Sequence, residues 1–108
     1  MADRKQLNLY LVSRTDNGGY DSYDSFVVCC ENHGQARETN PNYGLTFDKD
    51  ESVWYRYNHG EKEFIGGTDW YPYGWVCGKD INSLNVTLIG VAVNDTEPGI
   101  VIASFNAG

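Results

Sequence analysis

The chain has 108 residues, a formal net charge of −7 and a hydrophobic fraction of 41%. These values suit a single folded domain spanning residues 1–108 and exclude a largely disordered protein. Of the eight basic residues only Arg4 and Lys5 are adjacent, and affinity for a nucleic-acid backbone depends on clustered Lys and Arg. We therefore expect no direct binding to a DNA or RNA backbone.

The first third of the chain predicts an antiparallel hairpin. Residues 6–14 carry Leu at every second position from Leu7 to Leu11, which is the period of a strand. Residues 16–19, Asp-Asn-Gly-Gly, form a turn signal because Asn and Gly accept positive φ. The returning strand covers about residues 24–30, and one of its faces carries Phe26, Val28 and Cys30.

A helix is predicted only over residues 31–40. Asn32 can cap its start, and Asn40-Pro41 stops it. Because Gly34 weakens the segment and Ala36 is its single small apolar residue, we expect at most two turns that pack on the sheet through Ala36.

The middle of the chain predicts a hairpin that projects from the main sheet. Residues 42–50 read as a loop, and residues 52–58 alternate in the pattern of a strand. Residues 58–61, Asn-His-Gly-Glu, predict a turn, and residues 62–65 can return as the partner strand. This unit is a possible hairpin insertion at about residues 42–67.

The last third supplies two more strands, over residues 84–93 and 100–105. The second is nearly all apolar at its start, which predicts a central position with both faces covered. A turn or single helical turn is expected at residues 79–83. The whole pattern predicts an α+β domain: an antiparallel sheet of about five to six strands, one short helix and a projecting hairpin.

Neither a metal site nor a cofactor is expected. The two histidines and the three cysteines lack paired ligand spacing. Cys29 and Cys30 are neighbours on a strand and point to opposite faces, so they should not form a bridge. With no signal peptide and no long apolar run, the sequence predicts a cytoplasmic protein with reduced thiols and no membrane contact.

Catalysis is not expected either. Ser22, Ser25 or Ser104 could be combined with His33 or His59, but no nucleophile elbow or phosphate-cradling glycine loop accompanies them. The sequence therefore favours a non-enzymatic protein.

A binding site is better supported, because eight Tyr and three Trp are a heavy aromatic load for this length. Residues 70–75, Trp-Tyr-Pro-Tyr-Gly-Trp, are irregular and could stack nucleobases, while residues 20–25 form a loop of carboxylates, phenols and hydroxyls. The alternative that these rings fill the core stays open. The predicted ligand-binding residues are Arg14, Tyr20, Asp21, Tyr23, Asp24, Trp70, Tyr73, Trp75, Ser104 and Asn106.

Both ends of the chain resemble a group of short phage and prophage proteins. The resemblance is carried by residues 14–16, by Tyr-Asp-Ser-Tyr-Asp-Ser-Phe-Val-Val at 20–28, by the helix end at 40–41, by the strand at 86–90 and by the ending Ala-Ser-Phe-Asn-Ala-Gly at 103–108. Residues 42–67 look like an insertion. The resemblance implies a phage accessory protein that acts in the cytoplasm of a bacterial host cell, and it implies no catalytic residues.

Such accessory proteins often counter host defence, which leaves two functional hypotheses. The first is a sponge, expected to be a homo-oligomer, that binds and sequesters a nucleotide-derived immune signalling molecule. The second is an acidic inhibitor, similar to small anti-CRISPR proteins in size and charge, that blocks a nucleic-acid-binding host defence complex. The first is ranked higher because surplus aromatic residues accompany a polar loop and a polar chain end.

Overall fold

The computed structural model describes residues 6–15, 22–42, 44–65, 75–93 and 95–106, with the backbone alone for residues 105 and 106. Within these ranges the chain forms seven strands, one α-helix and one 3-10 helix. In chain order they are β1 (Asn8–Ser13), β2 (Ser22–Cys30), α1 (His33–Arg37), β3 (Thr46–Asp48), β4 (Val53–Asn58), β5 (Glu61–Ile65), the 3-10 helix Gly78–Ser83, β6 (Asn85–Val91) and β7 (Gly99–Asn106).

The main layer is a four-stranded antiparallel sheet with the strand order β6-β1-β2-β7. The predicted pairing of the first two strands is confirmed, with Tyr10 opposite Val28 and Val12 opposite Phe26. The predicted central position of the last strand is wrong, because β7 lies at an edge of the sheet. No described strand pairs with β7 on the side away from β2, and its apolar start is exposed.

A second, three-stranded antiparallel sheet has the order β3-β4-β5. The predicted hairpin is confirmed: β4 and β5 are joined at His59 and Gly60, whose φ values of 52° and 82° are those of a left-handed turn. The sequence interpretation missed β3, which is only three residues long, and the seven strands therefore exceed the expected five to six.

The core lies on one side of the four-stranded sheet, which we call its inner face. This face carries the predicted row of Phe26, Val28 and Cys30 together with Tyr10 and Val12, all of which are buried. The core also includes Ala36, Trp54, Trp75, Val76, Ile81 and Leu84. The α+β class with an antiparallel sheet as its main layer is confirmed.

Short polar contacts fix the elements that cover the inner face. The side chain of Asn32 accepts a hydrogen bond from the Gln35 amide at 2.9 Å, which is the predicted N-cap of α1. The helix ends at Arg37, three residues before the expected end at Asn40. The Arg37 guanidinium donates to the carbonyls of Ile81 and Leu84 at 3.1 and 2.8 Å. α1 is thereby tied to the start of β6.

The second sheet is joined to the core through Trp54. Its ring is fully buried, and its indole Nε1 donates to the carbonyl oxygen of Val76 at 2.8 Å. The edge of its ring system also meets Phe47 at a centroid distance of 5.4 Å. The base of the hairpin is therefore part of the core, whereas its far end, with Tyr57 and Asn58, is exposed to solvent.

Candidate functional site

Five of the predicted ligand-binding residues lie at the same end of the four-stranded sheet. β2 begins there with Ser22 opposite Asn106 and Ser25 opposite Ser104, and β1 ends there at Ser13, just before Arg14. The strand register thus brings together residues from opposite ends of the chain. The predicted residues at this end are Arg14, Tyr23, Asp24, Ser104 and Asn106.

A β-bulge at Asp24 divides this end between the two faces of the sheet. Tyr23 is opposite Phe105 and Ser25 is opposite Ser104, so Asp24 is the additional residue on β2. The bulge changes the alternation of side chains: Tyr23 packs against the core, while Asp24 is exposed. The predicted residues therefore do not form one surface.

Arg14, Tyr23 and Trp75 meet on the inner side. The Arg14 amide donates to the Asp24 carbonyl at 3.2 Å, and Nη1 of Arg14 donates to the Tyr23 carbonyl at 3.4 Å. The guanidinium carbon also lies 5.8 Å from the centroid of the Trp75 ring, which is cation–π distance. We call these three residues the Arg14 cluster.

Trp75 is a core residue. Its side chain is 0% exposed and packs edge-to-face on Phe26 with ring centroids 5.2 Å apart. A ring buried in this way offers no open face for stacking on a nucleobase. The sequence interpretation of Trp75 as part of an exposed stacking surface is corrected accordingly, because one side of this ring is taken by Phe26 and the guanidinium of Arg14 lies over it.

Ser104 lies on the opposite side of the sheet, which we call the outer face. Asn85, Ser13, Ser25 and Ser104 stand opposite one another across all four strands and form a polar row. Beside this row is a shallow depression of about 340 Å³. It is lined by Leu11, Ser25, Phe26, Val27, Ile102, Ala103 and Ser104.

Four predicted ligand-binding residues, Tyr20, Asp21, Trp70 and Tyr73, lie outside the described residues. The points where their segments attach are nevertheless defined. Residues 16–21 follow Thr15, which is next to Arg14, and residues 66–74 directly precede Trp75. The Arg14–Trp75 contact therefore joins the attachment points of the two segments that the sequence predicts to bind a ligand.

The second sheet carries an aromatic surface, of which the sequence predicted only the tyrosines. Tyr55 is opposite Phe64 and Tyr57 is opposite Lys62, so their side chains share one face, and Tyr57 and Phe64 are exposed. Nζ of Lys62 lies 4.3 Å from the Tyr55 ring centroid and 2.6 Å from Oδ2 of Asp48. The alternation of residues 53–58 predicted the shared face of the tyrosines, but the pairing that adds Phe64 needs the register.

Paired charges dominate this second sheet. The hydrogen bond from Lys62 holds the pKa of Asp48 below its usual range, and the same contact raises the pKa of Lys62. Asn58 and Arg56 together lower the pKa of Glu63, and the Arg56–Glu63 pair is 2.9 Å long. These carboxylates are therefore ionised and already matched by neighbouring donors.

The candidate nucleophiles and bases are not brought together. His33 is the first residue of α1 and contacts the Tyr10 ring at a centroid distance of 4.7 Å, at the end of β2 away from Ser22. His59 is in the β4–β5 turn. Cys77 donates to Oδ2 of Asp80 at 3.0 Å, and burial, reinforced by that carboxylate, raises the pKa of the Cys77 thiol to about 11. A thiol in that state is a poor nucleophile at neutral pH.

Metal binding has no geometric support in the part of the chain that the structure describes, where no three His, Cys, Asp or Glu side chains converge. No helix within the described ranges is long and apolar enough to cross a membrane. All three cysteines are buried and free.

Comparison with known proteins gives no match to a family model, to a curated protein or to a solved structure.

Proposed function

We propose that the protein is a non-enzymatic sponge that binds and sequesters a nucleotide-derived immune signalling molecule, with its site built around the Arg14 cluster. The observation that carries this proposal is the contact of Arg14 with Trp75. It joins the attachment points of residues 16–21 and 66–74, which contain the predicted ligand residues Tyr20, Asp21, Trp70 and Tyr73.

Arg14 provides the positive charge that a phosphate group requires. It is the only basic residue between positions 6 and 30 of a chain whose net charge is −7. A guanidinium presents a rigid fork of donors that fits phosphate oxygens, and hydrogen bonds of this kind are among the strong ones. An anionic ligand would therefore be directed to this end of the sheet and repelled by most other surfaces.

The remaining groups suit the other parts of a nucleotide. Trp70 and Tyr73 would stack on the bases, each contributing about 1–3 kcal/mol. Asp21 and the exposed Asp24 can accept hydrogen bonds from ribose hydroxyls or base amino groups. Because the bulge leaves Asp24 unmatched by a residue on β7, its side chain is available beside the cluster.

We favour sequestration of the nucleotide over its chemical conversion. The described histidines and cysteines either lie away from the Arg14 end of the four-stranded sheet or keep their protons at neutral pH. His33 and His59 belong to α1 and to the second hairpin. The resemblance of both chain ends to short phage proteins gives the proposal its setting: a counter-defence protein acting in the cytoplasm of a bacterial host.

The acidic inhibitor is the second candidate, and the second sheet argues against it. Phosphate mimicry needs carboxylates whose charge is available to a basic groove. Three of the acidic residues in this region are already paired with Lys or Arg: Glu38 with Lys49 at 3.7 Å, Asp48 with Lys62, and Glu63 with Arg56. We therefore rank inhibition of a nucleic-acid-binding complex below the sponge.

Titration calorimetry of the protein with cyclic dinucleotides, cyclic trinucleotides and cyclic ADP-ribose isomers tests the proposal. We expect one of these probes to bind, and Arg14→Gln to weaken its binding by about tenfold or more, since hydrogen bonds to charged groups contribute about 1.5–3 kcal/mol. The matched control is Arg56→Gln, which removes the same charge from the exposed hairpin and should leave the affinity unchanged. Equal affinities of the Arg14 variant and the wild type would contradict the proposed site.

A further inference from the structure

The two edge strands of the four-stranded sheet, β6 and β7, expose an unusual amount of aliphatic surface. Among the described residues nine large apolar side chains are exposed, and six of them belong to the two edge strands. Ile102 is 66% exposed and stands on the outer face, in one row with Val27, Leu11 and Thr87. The six residues are Leu88, Ile89 and Val91 on β6, and Ile100, Val101 and Ile102 on β7. Leu88 and Ile100 lie on the inner face, since they pair with the core residues Tyr10 and Val28, so the outer face is represented by Ile102.

The same sheet is almost without charge. β1, β6 and β7 contain no charged residue, and β2 contains Asp24 alone, whereas the whole chain has 15 acidic and 8 basic residues. A solvent-facing sheet normally alternates apolar with charged or strongly polar side chains. Here the outer face carries the mainly aliphatic row of Ile102, Val27, Leu11 and Thr87 beside the polar row of Asn85, Ser13, Ser25 and Ser104.

We propose that a second copy of this chain covers the outer face, so that two four-stranded sheets stack face to face in a two-fold dimer. Two copies that each carry a charge of −7 repel one another, and this repulsion is smallest where both contribute an uncharged surface. A basic partner would instead select the acidic residues of the chain, which lie elsewhere. A face that carries both an apolar and a polar row can also match itself about a two-fold axis.

The stacked arrangement is favoured over pairing of strand edges. β6 has an additional residue at Ile89 and β7 has one at Val101, so each edge carries a β-bulge. Bulges distort the row of backbone donors and acceptors, and sheets use them to prevent edge-to-edge addition of a further strand. The side chains of the outer face, rather than the backbone of an edge, are therefore what a partner would contact.

The area of the outer face sets the expected strength of the dimer. Four strands spaced about 4.8 Å apart and about 20–25 Å long present a face of roughly 400–500 Å², before its side-chain relief is counted. Two such faces bury at most roughly 800–1,000 Å², which is at the small end of protein interfaces. We therefore expect a reversible dimer that dissociates on dilution.

Sedimentation equilibrium over a range of protein concentrations tests the dimer. We expect the wild type to approach twice the 12.1 kDa mass of the chain. Ile102→Lys and Thr87→Lys each place an ammonium group in the outer face and should weaken the dimer by about 100-fold or more, because a buried unpaired charge is strongly unfavourable. Both positions are exposed in the monomer, so circular dichroism should show folded variants.

The matched control is Val93→Lys. Val93 is 79% exposed and follows β6 outside the sheet, so the same change of an aliphatic residue to Lys should leave the dimer intact. A wild type that stays at 12.1 kDa, or outer-face variants that dimerise as well as Val93→Lys, would overturn the proposal. The dimer can be tested separately from nucleotide binding, since calorimetry measures the binding of the nucleotide and sedimentation measures the mass of the assembly.

Discussion

Replacing Gly78 by Ala should destabilise the protein strongly, because the first residue of the 3-10 helix is pressed against the start of β4. A Cβ atom added at residue 78 would lie 2.6 Å from the carbonyl carbon of Ser52 and 2.8 Å from Cα of Val53, and closer still to the Ser52 carbonyl oxygen. Carbon atoms pack at about 3.5–4.0 Å, so the two backbones must separate by about 1 Å.

That separation would affect the join between the two sheets. Trp54 is two residues after Ser52, and Val76 is two residues before Gly78. Nε1 of Trp54 donates to the carbonyl of Val76 inside the core. Backbone cannot rotate away as a flexible side chain can, so the cost should reach the upper end of the about 1–3 kcal/mol typical of overpacking. For a domain of this size, 3 kcal/mol corresponds to a fall in Tm of about 10–20 °C.

Thermal unfolding followed by far-UV circular dichroism measures this effect directly. The matched control is Gly90→Ala on β6, where a Cβ would meet only the Leu9 side chain at an ordinary 3.7 Å. We expect the control to melt within a few degrees of the wild type. If Gly78→Ala and Gly90→Ala melted at the same temperature, the close approach of the 3-10 helix to β4 would be refuted.

Two further predictions concern the same region. Trp54→Phe removes the donor to the Val76 carbonyl and should lower the free energy of unfolding in urea by about 1–3 kcal/mol, whereas an unchanged urea midpoint would show that the hydrogen bond contributes nothing. The Cys77 thiol, with its pKa raised from 9.0 to about 11, keeps its proton longer in the folded chain than in the unfolded chain. Its contribution to stability is therefore complete below pH 9 and is lost as the pH rises towards 11. Cys77→Ala should show a shallower loss of stability over this range, and parallel curves would contradict the assignment.

Local patterns predicted much of the fold, since they depend on neighbouring residues alone. The alternation in residues 24–30 identified the buried face of β2, and the Asn-His-Gly-Glu turn identified the β4–β5 hairpin. The position of β7 could not be predicted in this way. An apolar run is expected to be covered on both faces, but Ile100 to Ile102 are exposed on the outermost of the described strands.

The site was harder to predict than the fold. It depends on the pairing of distant strands and on which face of the sheet each side chain occupies. The sequence indicated polar residues near both ends of the chain, and the pairing of Ser25 with Ser104 places them together. It did not reveal the bulge at Asp24, which moves Tyr23 and Ser104 to opposite faces, nor the burial of Trp75 under Arg14. A tryptophan in an irregular segment can be core or surface, and only packing decides between them.

Native mass spectrometry can show directly whether the protein is a sponge, when it is purified from a bacterial host and mixed with the cyclic dinucleotides, cyclic trinucleotides and cyclic ADP-ribose isomers. We expect a stoichiometric nucleotide adduct that is released with unchanged mass on denaturation. An apo mass with every member of the panel, or a nucleotide released with altered mass, would contradict it.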